Sequence, residues 1–139
     1  MTKKLNISDL DKVLEILKQD NLRYCDGNYP ERNWVGHFIT EERCFAYGFF
    51  EDSVLQSVLL AEILSYKGCM LWYLATKPEL QGQGLGSELL IDFQRIAKDS
   101  QVEWFFLNAT KESLPFYAKH GFETSEFSKV YEHYKEIIP

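Results

Sequence analysis

Residues 70–87 read MLWYLATKPELQGQGLGS and separate two parts of the chain that have different patterns. The run Met70–Ala75 is short and almost wholly apolar, which is typical of a strand buried in the middle of a sheet. Glycines follow at positions 82, 84 and 86, and from Ser87 to Asp99 apolar residues recur at helical spacing. This part of the chain therefore predicts a strand, a glycine-rich loop and a helix.

The runs on either side of this segment predict a mixed sheet. Two β-like runs lie upstream, over residues 44–50 and 54–64, and short polar turns separate them, as in an antiparallel meander. Downstream, residues 102–107 form another β-like run, so that strand, helix and strand follow each other as in a right-handed parallel crossover. Residues 130–137 carry enough β-formers for a closing strand. The fold class expected is α/β, with a sheet that contains one parallel pair.

Three further helices complete the predicted elements. Ser8 precedes apolar residues at 10, 13, 14 and 17, a stripe that predicts a helix ending near Asn21. Pro30 is suited to open a second helix over the stretch that ends at Thr40. A last short helix is expected from residue 113 to 120, ended by Gly121 in the left-handed conformation with Phe122 packing back.

Length and charge limit the classes of function. The 139 residues, of which 45% are hydrophobic and 26% charged, suit one globular domain over residues 1–139. The net charge of −6 disfavours nucleic acid as a partner, because phosphate binding normally needs a basic face. The negative net charge favours a cationic partner such as an amine. The alternative interpretation is that the charge only keeps the protein soluble.

Targeting and redox signals point to the cytoplasm. No apolar run is long enough for a membrane span, and the start of the chain lacks the apolar stretch of a signal peptide. The three cysteines are widely spaced and fit neither a disulfide framework nor a zinc site. We therefore expect a cytoplasmic location, no membrane partner and no metal.

The glycine-rich loop is the segment most typical of ligand binding. It precedes a helix whose first N–H groups have no partner within the helix and lie at the positive end of the helix dipole, an arrangement that binds phosphate. A P-loop is excluded because no lysine lies between Gly82 and Ser87. A dinucleotide fingerprint would need glycine at Ser87. A loop without a ligand remains the alternative.

The loop resembles a known family. Gln81-x-x-Gly84-x-Gly86 resembles the acyl-CoA-binding motif of the GNAT N-acetyltransferases, and the segments 74–78 and 115–122 are also similar to that family. The resemblance implies a six- to seven-stranded mixed sheet with about four helices, and acetyl-CoA bound where two parallel strands, 70–76 and 102–107, splay apart. The cofactor-binding residues that it implies are Leu74, Ala75, Thr76, Gln81, Gly82, Gln83, Gly84, Leu85, Gly86, Ser87, Asn108 and Tyr117.

The reaction that the resemblance implies is direct attack of an amine on the thioester. Tyr117 matches the family's usual general acid, which protonates the departing thiolate; the alternative is an aromatic residue that only packs beside Phe116. Glu62 interrupts an apolar run and is a candidate general base, or else an outward-facing charge. Tyr73 and a chain of water molecules are further candidates for the base. His120 is interpreted as a surface residue that compensates the helix dipole.

The acceptor is left open among a small amine, a polyamine, an amino acid and a protein lysine or N-terminus. Aromatic residues in the first forty positions form a pocket wall or part of the core; they are Tyr24, Tyr29, Trp34 and Phe38. A non-catalytic acyl-CoA-binding module is the alternative to an enzyme. A homodimer is plausible within the family.

Overall fold

The computed structural model describes residues 1–23, 26–123 and 136–138. The strands in these residues are β1 (Thr2–Lys4), β2 (Cys44–Glu51), β3 (Val54–Ile63), β4 (Gly68–Thr76), β5 (Trp104–Ala109) and β6 (Glu136–Ile138). The α-helices are α1 (Leu10–Leu17), α2 (Arg32–Thr40), α3 (Leu85–Asp99) and α4 (Leu114–Lys119). Short 3₁₀ turns occupy Ile7–Asp9, Asp20–Leu22 and Pro78–Leu80.

The strands form one mixed sheet in the order β1-β2-β3-β4-β5-β6. Neighbouring strands are antiparallel except for β4 and β5, which are parallel. The predicted meander and the predicted parallel crossover are thereby confirmed. None of the helices in the described residues is long and apolar enough to span a bilayer.

The parallel pair comes apart soon after it begins. Residues 68–70 of β4 pair with residues 104–106 of β5, and the last pair joins Met70 to Phe106. Beyond it β4 continues to Thr76, whereas the end of β5 pairs with β6 through residues 107–109. From Leu71 onward, the edge of β4 that faces β5 therefore has no strand partner among the described residues, and a gap opens in the sheet.

A bulge lies in β4 where the gap begins. Leu60 of β3 pairs with Tyr73 and Ala61 pairs with Leu71, so Trp72 is an extra residue between two regular pairs. A bulge of this kind bends the strand and redirects a side chain. Trp72 consequently lies in the middle of a buried strand and is still 37% exposed.

The helices cover the two faces of the sheet, and each face has its own apolar core. On one face α1 and α2 bury residues such as Leu17, Val35 and Phe38 against β2, β3 and β4. On the other face α3 buries Leu89, Leu90 and Phe93, and α4 packs along the same core. Fully burying a side chain of this size contributes roughly 1.5–3 kcal/mol, so the apolar stripes of the helices hold them on the sheet.

The end of α1 and the presence of β1 differ from the sequence prediction. α1 ends at Leu17 rather than near Asn21, because the Gln19 amide donates to the carbonyl of Ile16 and so takes up the end of the helix. β1 was not predicted. The predicted strand at 130–137 lies mostly outside the described residues, which include Glu136–Ile138.

The predicted end of α4 is confirmed. Gly121 has φ of +89°, and the N–H of Phe122 donates to the carbonyl of Tyr117 at 3.1 Å. The N–H of Gly121 donates to the carbonyl of Ala118, which completes a Schellman motif. This turn fixes the position of Tyr117 relative to the sheet.

Candidate active site

A cavity of about 420 Å³ lies at the open end of the gap between β4 and β5. Its volume is in the range of sites for small molecules and cofactors. Ten of the twelve expected cofactor-binding residues line it, and Gln83 and Asn108 do not. Both of these side chains are exposed, Gln83 in the loop and Asn108 on β5 beyond the point where β4 and β5 separate. The sequence prediction missed the other lining residues, Gln19, Asn21, Leu22, Leu80, Ser113, Phe116 and Lys119.

The glycine-rich loop lies at the mouth of this cavity in a conformation that suits glycine. Gly82 has φ of +82° and Gly84 has φ of +84°, values that side chains other than glycine rarely adopt. A Cβ at either position would meet no atom within 4 Å, so the space above the backbone is open. The backbone of the loop is therefore accessible to a ligand at these two positions.

The start of α3 supplies hydrogen-bond donors to the same space. Glu88 donates the first N–H bond of the helix, to the carbonyl of Gly84 at 3.0 Å. The N–H groups of Leu85, Gly86 and Ser87 come before that bond and have no carbonyl partner within the helix. They stand at the positive end of the dipole of a fifteen-residue helix, and Lys119 is among the residues that line the cavity. The mouth of the cavity is therefore suited to an anion.

Two glutamines hold the loop against the rest of the molecule. The Gln81 amide donates to the Thr76 carbonyl at 3.2 Å and to the side-chain oxygen of Gln19 at 3.1 Å. Gln19 donates to the same Thr76 carbonyl at 3.0 Å. The end of α1, the end of β4 and the start of the loop are thereby joined at one point. Gln81, the first residue of the sequence motif, positions the loop through these contacts.

Tyr117 borders the cavity from the α4 side. Its ring is half-buried and meets Phe116 and Phe122 edge to face, with ring centroids 5.1 and 5.6 Å away. Burial raises the pKa of its hydroxyl to about 12. The Tyr117 hydroxyl therefore carries its proton at neutral pH.

His120 contacts the start of α3. Its Nε2 lies 2.7 Å from the Ser87 hydroxyl, and its ring lies 4.9 Å from that of Phe116. Burial, together with the neighbouring charge of Lys119, lowers the pKa of this imidazole. His120 lies at the C-terminal end of α4, as the sequence indicated, and is half-buried; its contact with Ser87 was not predicted.

Glu62 lies at the other end of the gap. It pairs with Met70, the last residue of β4 that pairs with β5, and so occupies the strand beside the point where the gap closes. It does not line the cavity. Its carboxylate Oε2 lies 3.3 Å from Nε2 of His37 in α2.

Cys44 lies near His37 and Glu62, and all three side chains are of types that can bind a metal ion. One ligand atom each from His37, Cys44 and Glu62 lies within 4.8 Å of the others. Burial, and after it the charges of Glu62 and Glu41, raises the pKa of the Cys44 thiol to about 11. Cys44 is thus a neutral thiol at neutral pH in the absence of a metal.

A mixed sheet with a gap between two parallel strands and a glycine-rich loop at its mouth is the fold that the sequence resemblance implied, and comparison with known families agrees. The family model described as the acetyltransferase (GNAT) domain matches residues 38–124, more than half of the chain. The chain belongs to the GNAT family.

A curated relative shares part of the sequence. The chain is 34% identical over 74 residues to the tRNA(Met) cytidine acetyltransferase TmcA 2 of Saccharolobus solfataricus. The match covers 51% of this chain and 10% of that protein, so the chain spans about a tenth of its relative's length.

Solved structures share the fold at low sequence identity. The PaiA N-acetyltransferase of Thermoplasma acidophilum, in complex with coenzyme A, is 22% identical with a TM-score of 0.75, covering 99% of this chain and 96% of that one. The ribosomal-protein-S18-alanine N-acetyltransferase of Escherichia coli is 16% identical with a TM-score of 0.76, covering 90% and 78%. Ard1 of Thermoplasma volcanium is 15% identical with a TM-score of 0.76, covering 99% and 93%.

Proposed function

We propose that this protein is an acetyltransferase, which transfers the acetyl group of acetyl-CoA directly to a primary amine of a small molecule, an amino acid or a peptide. The observation that carries the proposal is the gap between β4 and β5, which leads from the glycine-rich loop to the interior of the sheet. Two of the structures with this fold are N-acetyltransferases by name, which supports nitrogen as the acceptor atom. We further propose that residues 1–139 act as one cytoplasmic domain, and a homodimer stays a prediction.

The site offers distinct groups to the parts of acetyl-CoA. The N–H groups from Gly82 to Ser87 would hold the diphosphate, since they are donors at a helix N-terminus. The pantetheine arm would lie along the free edge of β4 and bond backbone groups of Leu74, Ala75 and Thr76, as an added strand does. With the diphosphate at the loop and the arm along β4, the acetyl group would lie toward the closed end of the gap. Asn108, on the β5 side, is proposed to contact the same arm.

The chemistry needs two proton transfers and one polarised carbonyl. A primary alkylamine has a pKa of roughly 10 and must lose a proton before it attacks. We propose Glu62 as the group that accepts this proton, directly or through one water molecule. A backbone N–H of β4 stabilises the charge that develops on the carbonyl oxygen. Tyr117 then donates its hydroxyl proton to the departing sulfur.

A screen of thiol release tests this function. Purified protein is incubated with acetyl-CoA and, separately, with alkylamines, polyamines, amino acids and lysine-containing peptides. We expect free thiol to appear with at least one class of amine and an N-acetyl product of matching amount. Binding of acetyl-CoA without turnover on any amine would contradict amine acetylation and leave the coenzyme site intact.

A further inference from the structure

Three side chains that can bind a metal ion meet where α2 lies on the sheet. Cys44 of β2 and Glu62 of β3 are directly opposite each other, so both side chains lie on the same face of the sheet. His37 of α2 reaches that face, and its Nε2 contacts Oε2 of Glu62. One nitrogen, one sulfur and one oxygen atom thus lie within 4.8 Å of one another. We call these three residues the His-Cys-Glu cluster.

The separations in the His-Cys-Glu cluster suit a small dication at its centre. Nε2 of His37 and Oε2 of Glu62 are 3.3 Å apart. Nitrogen and oxygen ligands at about 2.0–2.1 Å from a tetrahedral zinc ion are roughly 3.3–3.4 Å apart. A charge-assisted hydrogen bond is shorter, at roughly 2.7–2.9 Å. With sulfur about 2.3 Å from the ion, the Cys44 side chain needs to move by little more than ~1 Å to complete the site.

Aromatic contacts hold the imidazole of the cluster in place. His37 stacks on Trp34, with ring centroids 5.7 Å apart and an angle of 9° between the ring planes. It also meets Phe38 edge to face at 5.7 Å. Trp34 is itself anchored, because its indole N–H donates to the Tyr73 hydroxyl at 3.0 Å. The orientation of the imidazole is therefore set before a metal ion binds, which lowers the entropic cost of binding.

The cluster is accessible, and its charge favours a cation. The side chains of His37 and Glu62 are 35% and 20% exposed, and Cys44 is half-buried, so an ion can enter from solvent. In the part of the chain that the structure describes, the ion pairs of Lys and Arg engage carboxylates other than Glu62. A metal ion therefore has no lysine or arginine to displace there. The net charge of −6 adds to the attraction.

We propose that the His-Cys-Glu cluster is a binding site for a zinc ion, with a water molecule as the fourth ligand. Nitrogen and sulfur donors select zinc over magnesium and calcium, which prefer oxygen ligands alone. On binding, the Cys44 sulfur forms a bond to zinc as a thiolate, and the thiol proton passes to solvent. The spacing of the cysteines predicted no such site, because the ligands come from three elements that only the fold brings together.

Zinc at this place has a consequence for turnover. A Glu62 carboxylate that is bound to zinc is not available to an amine, and the ion lies beside Met70, where the gap closes. We therefore expect zinc to inhibit the protein and a chelator to restore its activity. The inhibition rests on the proposed function, whereas the binding of zinc does not.

Cobalt reports on the site directly. The whole chain is stripped with a chelator, kept reduced with a phosphine and titrated with Co²⁺, which has ligand preferences close to those of zinc. We expect one equivalent of cobalt to give a near-ultraviolet charge-transfer band from the thiolate, together with the intense visible bands of tetrahedral cobalt. One equivalent of zinc should remove both signals. The absence of a thiolate band at saturating cobalt would overturn the proposal.

Variants of each ligand test its place. Cys44→Ser should remove the thiolate band. His37→Phe keeps a ring to stack on Trp34, and Glu62→Gln keeps the shape of the side chain. We expect each of these two to weaken zinc binding in calorimetry by roughly 100-fold or more, since the loss of even a supporting residue costs roughly 10- to 100-fold. Zinc affinity equal to that of wild type in both would overturn the site.

The other two cysteines provide the controls. Cys69→Ala removes a fully buried thiol of β4 that is not part of the cluster, and Cys25→Ser alters the cysteine that lies outside the described residues. Both variants should keep the cobalt spectrum of wild type. A thiolate band that is lost in either control and kept in Cys44→Ser would overturn the assignment of the sulfur ligand.

Two further measurements separate this site from the proposed function. Zinc calorimetry needs no acetyl-CoA, so a protein that binds zinc and not acetyl-CoA keeps the site and loses the proposed function. A protein that acetylates an amine and gives no cobalt–thiolate band keeps the function and loses the site. An equal rate with and without saturating zinc, or activity that a chelator removes and zinc restores, would overturn the inhibition.

Discussion

At the scale of single residues, Gly84 and Gly86 have different tasks although both belong to the motif. Gly84 caps α3 with φ of +84°, a conformation that costs other residues roughly 1–2 kcal/mol. A Cβ at Gly86 would come no closer than 3.7 Å to the Thr76 hydroxyl and 3.8 Å to the Phe116 ring. Gly84 is therefore required by the backbone, whereas Gly86 leaves room for alanine and not for a larger side chain.

Replacing Gly84 tests the anion site. We expect Gly84→Val to abolish measurable binding of acetyl-CoA in calorimetry, because strain and the branched side chain displace the N–H groups of the loop. Gly27→Val is the matched control, since Gly27 has φ of +87° with open space around its Cα and does not line the cavity. Equal affinity in both variants would rule out the loop as the phosphate site.

Tyr117→Phe tests the proton donor. The variant keeps the ring contacts with Phe116 and Phe122, so we expect kcat to fall about 10²-fold or more while the affinity for acetyl-CoA stays within about twofold. Tyr47→Phe is the control, because burial also raises the pKa of Tyr47 and this residue does not line the cavity. A Tyr117→Phe enzyme with the wild-type rate would exclude Tyr117 as the acid.

The pKa of Tyr117 also predicts the shape of the rate profile. Because burial raises this pKa to about 12, the hydroxyl keeps its proton throughout the range between pH 7 and 10. We therefore expect ionisation of Tyr117 to cause no fall in wild-type turnover between pH 7 and 10. Measured over this range, the pH profiles of wild type and Tyr117→Phe should have the same shape.

At the scale of elements, the sequence predicted strands and helices well where their apolar pattern was strong. The runs of β2, β3 and β4 and the apolar stripe of α3 are long enough for the side-chain period to identify them. β1 consists of Thr2, Lys3 and Lys4, which carry no apolar pattern, and it exists because its backbone pairs with β2. Short strands of this kind depend on a partner that local sequence does not reveal.

The prediction of the site was limited for the same reason, because residues that only tertiary structure brings together carry no local sequence pattern. The loop from Gln81 to Ser87 is contiguous and carries a motif, so most of its residues were identified. Gln19, Asn21 and Leu22 come from a 3₁₀ turn and its flank after α1, and only tertiary packing brings them to the cavity. The contact of His37 with Glu62 joins residues 25 positions apart and has no sequence signature.

Gln19 provides a test at this scale. Gln19→Ala removes hydrogen bonds to the carbonyls of Ile16 and Thr76 and to Gln81, so we expect a loss of about 1 kcal/mol in unfolding free energy and a severalfold weaker affinity for acetyl-CoA. Urea unfolding and calorimetry measure the two effects. Gln83→Ala, an exposed position on the same loop, should change neither. An unaltered Gln19→Ala affinity would show that the loop keeps its place without this contact.

At the scale of the whole molecule, a buried thiol and a half-buried phenol make the free energy of unfolding fall at alkaline pH. Burial raises the pKa of the Cys69 thiol to about 12 from an ordinary value of 9.0. The unfolded chain therefore loses this proton at lower pH than the folded protein does. The stabilising contribution is complete below about pH 9 and is lost as the pH rises toward 12. Tyr117 acts in the same direction from an ordinary value of 10.0.

Urea unfolding at two pH values checks this dependence. We expect the unfolding free energy of wild type to be lower at pH 11 than at pH 7. Cys69→Ala should lose less between the two pH values, because the thiol that resists ionisation is gone. A difference between pH 7 and pH 11 as large in Cys69→Ala as in wild type would contradict the assignment to Cys69.

Three residue pairs join β4 to β5, so the sheet is weakly connected along the line between these two strands, which we call the seam. Among the described residues, strands β1 to β4 on one side and β5 and β6 on the other are joined by these three pairs. On the proposed function, the pantetheine arm of acetyl-CoA would lie in the seam and supply hydrogen bonds along the free edge of β4. Such a ligand binds the folded form alone and shifts the folding equilibrium toward it. On the proposed function, acetyl-CoA would then be part of the scaffold as well as a reactant.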